Sequence, residues 1–371
     1  MPEHHDRPVD ENAKRPLVSF VLFAYNQERY IREAVEAALA QTYSPLEIII
    51  SDDCSADDTF HVIEEMTAGY RGPHALVVRK NDHNLGLAEH INQVMALARG
   101  ELVVVAAGDD ISFPERVSVV TQHWLAGGRE SGSIFSRFQT IDEFGKITRN
   151  AVPINKKRVT LADRDLANTR SMTVGTMGCA HAWTRDVFDF FGPINERIIH
   201  EDITIPLRSL LIGSVTFLPD ELVSYRMIAG SQSRASFTNH QERIRKMARY
   251  WEGRVANYEQ YRLDAQKISA RKPDCRDEID WLSRLIGREA DAAQINHRFF
   301  RGGYLERFRA VIDFSKNIPV ARRLKLLALA IIPALYNLKT SRSVFLALER
   351  IKKTAGRLWH SRPRARAQHR S

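Results

Sequence analysis

Apolar residues in the first third of the chain alternate between two patterns: short unbroken runs, and longer stretches that repeat about every 3.6 residues. This alternation predicts a series of strand–helix units. Leu17 to Ala24 (LVSFVLFA) is apolar and β-rich, and it stops at Tyr25-Asn26, a turn-forming step. IREAVEAALAQ follows, with Ile31, Val35, Ala38 and Leu39 at helical spacing. Leu46 to Ile50 (LEIII) predicts a second buried strand that ends on Ser51-Asp52-Asp53-Cys54-Ser55, and ADDTFHVIEEMTAGY continues as a helix with Asp57 or Asp58 near its start. ALVVRKN is the third strand, and HNLGLAEHINQVMALARG turns at Asn84 and Gly86 into a helix whose apolar face is Ile91, Val94, Met95 and Ala98. Leu102 to Ala107 is apolar without interruption between Gly100 and Gly108, the pattern of a fourth strand covered on both faces.

Four such units in a row predict an α/β fold: a mostly parallel, Rossmann-like sheet with helices on both faces, joined by right-handed crossovers. The loops after Ala24, Ile50 and Ala107 then share the carboxyl edge of the sheet, where such folds bind ligands. Tyr25-Asn26, Asp52-Asp53 and Asp109-Asp110 are expected around one cleft there. Carboxylates so placed can accept from a base or a ribose, or hold a divalent metal. Taken alone, Gly108-Asp109-Asp110 also reads as a turn that caps the helix after Pro114.

Further along, SIFSRFQTID predicts a strand and GCAHAWTRDVFDFFG a strand that passes into a helix, with Trp183 either a core residue or a platform for a sugar ring. From about His240 the pattern turns helical, through QERIRKMARYWEGRVANYEQYRLDAQ and DEIDWLSRLIGREADAAQINHRFF. RRLKLLALAIIPALYNL is shorter than the roughly 20 apolar residues a membrane span needs and has Pro333 inside it. Flanked by Arg322, Arg323, Lys325, Lys339 and Arg342, it suits the interface of an anionic membrane or a hairpin packed on the main domain.

Composition narrows the chemistry. A net charge of +9 favours an anionic partner: a sugar nucleotide, an acidic lipid or a nucleic acid. No RNA- or DNA-reading signature accompanies the cationic end, so lipid is preferred there and no nucleic-acid partner is expected. The 3 cysteines show no metal-ligand spacing, which argues against a disulfide framework or a zinc site. The start lacks the apolar core of a secretory signal, so the expected location is cytoplasmic, peripheral at the inner face of the plasma membrane if the basic end binds lipid. Neither GxGxxG nor GxxxxGK[ST] occurs, so no glycine-amide cradle is available for phosphates and a metal is expected to take that role.

Taken together, VSFVLFAYNQERYI, AALAQTYSPLEIIISDDCSADDT, NLGLAEHINQ, ARGELVVVAAGDDISFPER, HEDITIPLRS and SYRMIAGSQS resemble, in order and spacing from Leu17 to Ser233, the family 2 glycosyltransferases of GT-A fold. The resemblance implies an inverting, metal-dependent glycosyltransferase that uses Mn2+ or Mg2+. Such an enzyme moves sugar from a nucleotide donor, expected to be UDP-linked, to a glycan or lipid-linked acceptor, as in surface polysaccharide biosynthesis. It implies that Ala24 and Tyr25 border the nucleobase, Asp53 contacts it, Asp109 meets the ribose and Asp110 the metal. It further implies that Glu201-Asp202 supplies the general base, with Asp202 the choice, and that Arg208 follows on the same helix. The Glu201-Asp202 pair also reads as favourable acidic charge at a helix start, which is compatible with that role. The implied organisation is a leader over 1–15, a GT-A catalytic domain over 16–238, a helical region over 239–360 and a basic disordered tail over 361–371.

Two positions depart from the family pattern. Ala107 stands where the first aspartate of a full DxD belongs, and Ile228 where a metal-binding histidine is frequent, with His181 or His200 as possible substitutes. These departures support one rival, a catalytically inactive sugar-nucleotide or glycan-binding protein of the same fold.

Overall fold

The computed structural model describes residues 15–149, 158–162, 177–228 and 240–302. The four predicted units are present: β1 (Val18–Ala24), α1 (Ile31–Leu39), β2 (Leu46–Asp52), α2 (Thr59–Thr67), β3 (Ala75–Lys80), α3 (Leu87–Leu97) and β4 (Leu102–Ala107). After them come β5 (Ile111–Ser112), α4 (Arg116–Ala126), β6 (Ser131–Ile141), β7 (Ile147–Arg149) and β8 (Arg158–Thr160). A 3-10 turn at Gly178–Ala180 leads into β9 (His181–Thr184), α5 (Asp186–Phe191), α6 (Glu201–Ile212) and β10 (Ser214–Arg226). Two long helices close the described chain, α7 (His240–Ser269) and α8 (Arg276–Arg301).

The strands form one mixed sheet in the order β3-β2-β1-β4-β9-β6-β10-β5, with β7 beside β6 and β8 beside β10. β1 is parallel to β2 and β4, and β2 is parallel to β3, so β1 to β4 form the all-parallel block that the sequence predicts. β9 then runs antiparallel to both β4 and β6, and β10 pairs parallel with β6. Alternate residues of the central strands enter opposite layers, as a period of two requires. Phe20, Leu22, Ile50 and Val104 pack with Val35, Ile63, Val117 and Val120 of α1, α2 and α4. Val21, Ile49, Val103 and Val105 pack with Ile91, Val94, Val187 and Ile205 of α3, α5 and α6. Helices therefore cover both faces, and the continuous apolar run of β4 is explained.

Register aligns the strand ends. Ala24 pairs with Asp52, Phe23 with Ala107, and Asp52 with Lys80, which puts the following loops on one edge. Gly108 sits where β4 leaves the sheet, and a Cβ there would fall 2.4 Å from Gln27 Oε1 and 2.8 Å from Ile31 Cδ1. A larger residue there would have to displace the ends of these two side chains at the start of α1.

The chain divides into two compact units, Met1–Thr238 with Glu252–Ala290, and Asn239–Trp251 with Asp291–Ser371. One boundary falls between Thr238 and Asn239 and two more fall inside α7 and α8, because the Gly253 to Ile268 part of α7 buries its face within the first unit. Among the described residues no helix is long and apolar enough to cross a membrane. The leader up to residue 14, the 229–233 end of the SYR motif, the basic amphipathic stretch and the cationic tail lie outside the described residues.

Candidate active site

The loops after β1, β2 and β3 are laced together by hydrogen bonds. Asp53 N–H donates to the Ala24 carbonyl at 2.9 Å, and Asn81 N–H to the Asp52 carbonyl at 2.8 Å. Asn26 adopts a left-handed φ of 52°, which asparagine tolerates better than most residues. Its N–H donates to Ser55 Oγ at 2.8 Å while its own Oδ1 accepts from Ala56 N–H at 2.9 Å. Asp52 is fully buried and accepts from both the N–H and the hydroxyl of Ser55. Asp53 accepts from Asn81 Nδ2 at 2.7 Å, Leu85 N–H at 2.9 Å and Gly86 N–H at 2.9 Å. Three of the roughly four acceptor positions of its carboxylate are thus filled by the 81–86 loop. Tyr25 projects from this edge and is 46% exposed.

The corner after β4 is built around Arg226, the last residue of β10. The antiparallel pairing of β5 with β10 brings its backbone N–H to Asp110 Oδ1 at 2.8 Å. Its side chain is buried and gathers three segments. Nε donates to the Asp109 carbonyl at 2.9 Å, and Nη1 to the Asp142 and Glu143 carbonyls at 3.3 and 3.4 Å. Nη2 reaches Glu33 Oε2 of α1 at 3.0 Å, and the guanidinium lies 4.9 Å from the centre of the Tyr30 ring. Asp109 is partly exposed and Asp110 is buried. Burial pushes the Asp109 carboxyl above its usual range, and burial together with the neighbouring Asp109 carboxylate pushes Asp110 well above it.

Glu201 and Asp202 open α6, whose positive dipole end suits them. Burial dominates nevertheless. Burial, with the Asp202 charge beside it, pushes Glu201 up to about 8, and burial pushes Asp202 up to about 6. The two carboxyls titrate as a pair, and burial favours one retained proton over two adjacent charges near neutrality. The 3-10 turn connects this pair to the β4 corner. A Cβ on Gly178 would fall 2.6 Å from Glu201 Oε1 and 3.9 Å from Asp202 Cβ. The next residue, Cys179, feels Asp110, Arg116 and Asp109; burial and then the Asp110 charge hold its thiol well above the usual range. Gly178 thus abuts the Glu201–Asp202 pair, and the adjacent Cys179 lies within electrostatic range of the Asp109–Asp110 corner.

Other residues singled out by sequence lie elsewhere. Trp183 is buried and donates from Nε1 to Met95 Sδ at 3.4 Å, so it is a core residue and not a sugar platform. His181 is fully buried, stacked on Phe135 with ring centroids 4.0 Å apart and bonded to Ser133 Oγ at 2.8 Å; it cannot stand in for a metal-binding histidine at the cleft. Arg208 is fully buried, with Nε 2.8 Å from Asp264 Oδ2 and donors to the Gly192 and Pro193 carbonyls, which makes it a structural residue. His200 is half-buried, and burial together with the Arg254 charge lowers its imidazole below the usual range, which keeps it neutral near pH 7. Arg226, Asn81 and Gly178 were not anticipated. All three act through partners distant in sequence, and the only local signal was the placement of Arg226 within the SYR motif.

Among the described residues no three His, Cys, Asp or Glu side chains form a set that holds a metal on their own. A divalent ion bound through one or two carboxylates, water and substrate phosphates needs no such set. Asp109 and Asp110, adjacent and both raised by burial, fit that mode, since a cation brought with a diphosphate would offset their charge.

A largely parallel sheet with helices on both faces and carboxylates at its strand ends and at a helix start has the architecture of the GT-A fold. Residues 19–187 match the family described as Glycosyl transferase family 2. The match covers the strand-edge aspartates and stops before Glu201. The chain is 27% identical over 243 residues to an uncharacterized protein of Mycobacterium tuberculosis, covering 64% of each. It is 30% identical over 135 residues to a chondroitin synthase of Escherichia coli, covering 36% of this chain and 19% of that one. The aligned region thus spans less than two thirds of the length of these curated relatives. In three dimensions the chain is similar to S. aureus TarS, with a TM-score of 0.51 and 18% identity over 84% of this chain and 52% of that one. The TarS 1–349 complex with UDP-GlcNAc aligns with a TM-score of 0.50 and 15% identity, over 88% and 93% of the two chains.

Proposed function

We propose that the protein is an inverting glycosyltransferase that moves a sugar from a nucleotide donor, UDP-linked in this reading, to a hydroxyl of a glycan or lipid-linked acceptor. The observation that carries the proposal is the Gly178–Cys179 step, where Gly178 abuts the Glu201–Asp202 pair and Cys179 lies within electrostatic range of the Asp109–Asp110 corner, in a chain with a family 2 match. The loops at Ala24, Tyr25 and Asp53 receive the base, and Asp109 the ribose. The complex of TarS with UDP-GlcNAc supports a donor of that class.

Asp202, ionised above about pH 6, takes the proton of the acceptor hydroxyl as its oxygen attacks the anomeric carbon. The bond from that carbon to the diphosphate breaks, and the diphosphate leaves with the electron pair. Attack from the face opposite the leaving group inverts the centre. Glu201, raised to about 8, holds its proton and spares Asp202 a second adjacent charge. A Mn2+ or Mg2+ ion at Asp110, bound together with the donor, would supply the charge that stabilises the departing diphosphate. The basic end suggests an acceptor at an anionic membrane surface and a place in surface polysaccharide assembly.

Screening UDP-, GDP- and dTDP-sugars for release of nucleoside diphosphate, with and without Mn2+, tests the assignment. Metal-dependent release by at least one sugar, lost in Asp202→Asn, is the expected result. Binding without turnover across the panel would instead favour the inactive binding protein.

A further inference from the structure

The start of α6 carries Glu201 and Asp202, and it is seated on a part of the chain that the family match does not include. The Gly253 to Asp264 stretch of α7 belongs to the same compact unit as the sheet, and it grips the segment around α6 at successive points. Gly253 lies against Ile199, where a Cβ would fall 2.5 Å from Ile199 Cγ1 and 3.4 Å from its Cβ, so a larger residue would have to push the Ile199 side chain aside. Asn257 Nδ2 donates to Thr204 Oγ1 at 2.5 Å and reaches the His200 carbonyl at 3.5 Å. Gln260 Oε1 accepts from Asn195 N–H at 3.1 Å, and Asp264 takes Arg208. Asn257 and Thr204 are fully buried, so their hydrogen bond forms away from water, and losing one partner leaves the other unsatisfied.

His200 is the residue before the first turn of α6, and Thr204 ends that turn. One side-chain amide therefore holds both ends of the turn on which Glu201 and Asp202 sit. We infer that α7 is a positioning element for the carboxylate pair and that Asn257 is its positioning residue, acting through His200 and Thr204 without touching substrate. The inference rests on Asp202 as the base. It assigns to the helical region a part in the reaction that the strand-edge motifs do not provide. Small misplacements of a catalytic group cost far more in rate than in stability, so the effect should appear in kcat.

The test compares Asn257→Leu, Thr204→Val, Asp202→Asn and the Asn257→Leu/Asp202→Asn double variant in the full chain. It uses whichever nucleotide sugar turns over in the panel, with UDP binding followed by calorimetry. Asn257→Leu should lower kcat by about 10–100-fold, with KM and the Kd for UDP within about twofold of wild type. Thr204→Val, which removes the same hydrogen bond from the other side, should lower kcat by about 3–10-fold. The double variant should be no slower than Asp202→Asn, because the two act on one group. Should Asn257→Leu fail to fold, Thr204→Val decides alone. Wild-type kcat in Asn257→Leu and Thr204→Val beside an inactive Asp202→Asn would overturn the positioning role and leave the base in place. A fall in UDP affinity that matches the fall in kcat would make Asn257 structural only and equally overturn it. Wild-type turnover in Asp202→Asn would remove the base assignment and this inference with it.

Discussion

The strand-edge aspartates and the carboxylates of α6 are built in opposite ways. Asp52 and Asp53 are surrounded by donors, Ser55 on the first and Asn81, Leu85 and Gly86 on the second, so their negative charge organises three loops. Glu201 and Asp202 sit at a helix start where burial outweighs backbone hydrogen bonding, so a proton is retained near neutral pH. A carboxylate saturated with donors is a fixed acceptor, suited to shaping a recognition edge. A carboxylate whose burial favours its protonated form is poised to exchange a proton, which is what a general base requires. Asp109 and Asp110 fall between the two, buried like the second group yet tied to Arg226 like the first.

The strongest way to break this contrast is Asp202→Asn, which keeps the shape and removes the proposed base. Turnover should fall by about 10²- to 10⁴-fold, the usual contribution of general base catalysis, while the calorimetric Kd for UDP stays unchanged. Comparable loss of UDP affinity would show that the two regions are one binding surface. Next in size is Arg208→Met, aimed at the seat of α6. With side chains 0% and 3% exposed, this ion pair is buried, and removing the cation leaves Asp264 uncompensated. Urea denaturation should report a loss of about 3–5 kcal/mol. On the recognition side, Asp53→Asn replaces one acceptor oxygen by a donor that faces backbone N–H groups of the 85–86 turn. Nucleotide affinity should fall by about 10-fold with kcat at saturating donor nearly unchanged, since the loop it shapes lies away from the proton transfer.

These regions also differ in how much of them could be read from sequence. β1 to β4 were legible because each strand is a continuous apolar run and each helix repeats at its own period, so local pattern alone set the order and the parallel edge. Asp53 and Asp109-Asp110 followed, since strand ends fix where loops emerge. The partners that hold the β4 corner and the α6 pair were not legible. Arg226 meets Asp110 across 116 positions and Asn257 meets Thr204 across 53, and no local spacing encodes either contact. Trp183 and His181 show the same limit from the other side. Their residue types suit a sugar platform and a metal ligand, and only the packing of β9 between β4 and β6 places both in the core.

The smallest expected effect concerns pH and sharpens the contrast thermodynamically. Glu201 has its folded-state carboxyl raised to about 8, above its ordinary value, so the folded protein binds that proton more tightly than the unfolded chain does. Its contribution to stability is therefore complete below the unfolded pKa and is lost as pH rises through about 8. Glu201→Gln removes that slope. Relative to wild type the variant should gain stability between pH 5 and pH 8.5, by roughly 1–2 kcal/mol, less than the full 1.4 kcal/mol per pH unit because the pair is partly exposed. Glu47, at the opposite end of β2, supplies the contrary case. Burial there would raise the carboxyl, but hydrogen bonds from Ser19 Oγ at 2.5 Å and from Arg99 at 2.6 and 2.9 Å outweigh it and lower the pKa. Its contribution is present above the unfolded carboxylate range and lost as pH falls through the depressed folded value, so Glu47→Gln should be destabilised most at neutral and alkaline pH and converge on wild type in acid. Urea midpoints for both variants across that range should diverge from wild type in opposite directions at high pH. Parallel curves would mean that burial at the start of α6 does not control the proton on Glu201, and the distinction between an anchoring and a proton-holding carboxylate would fail.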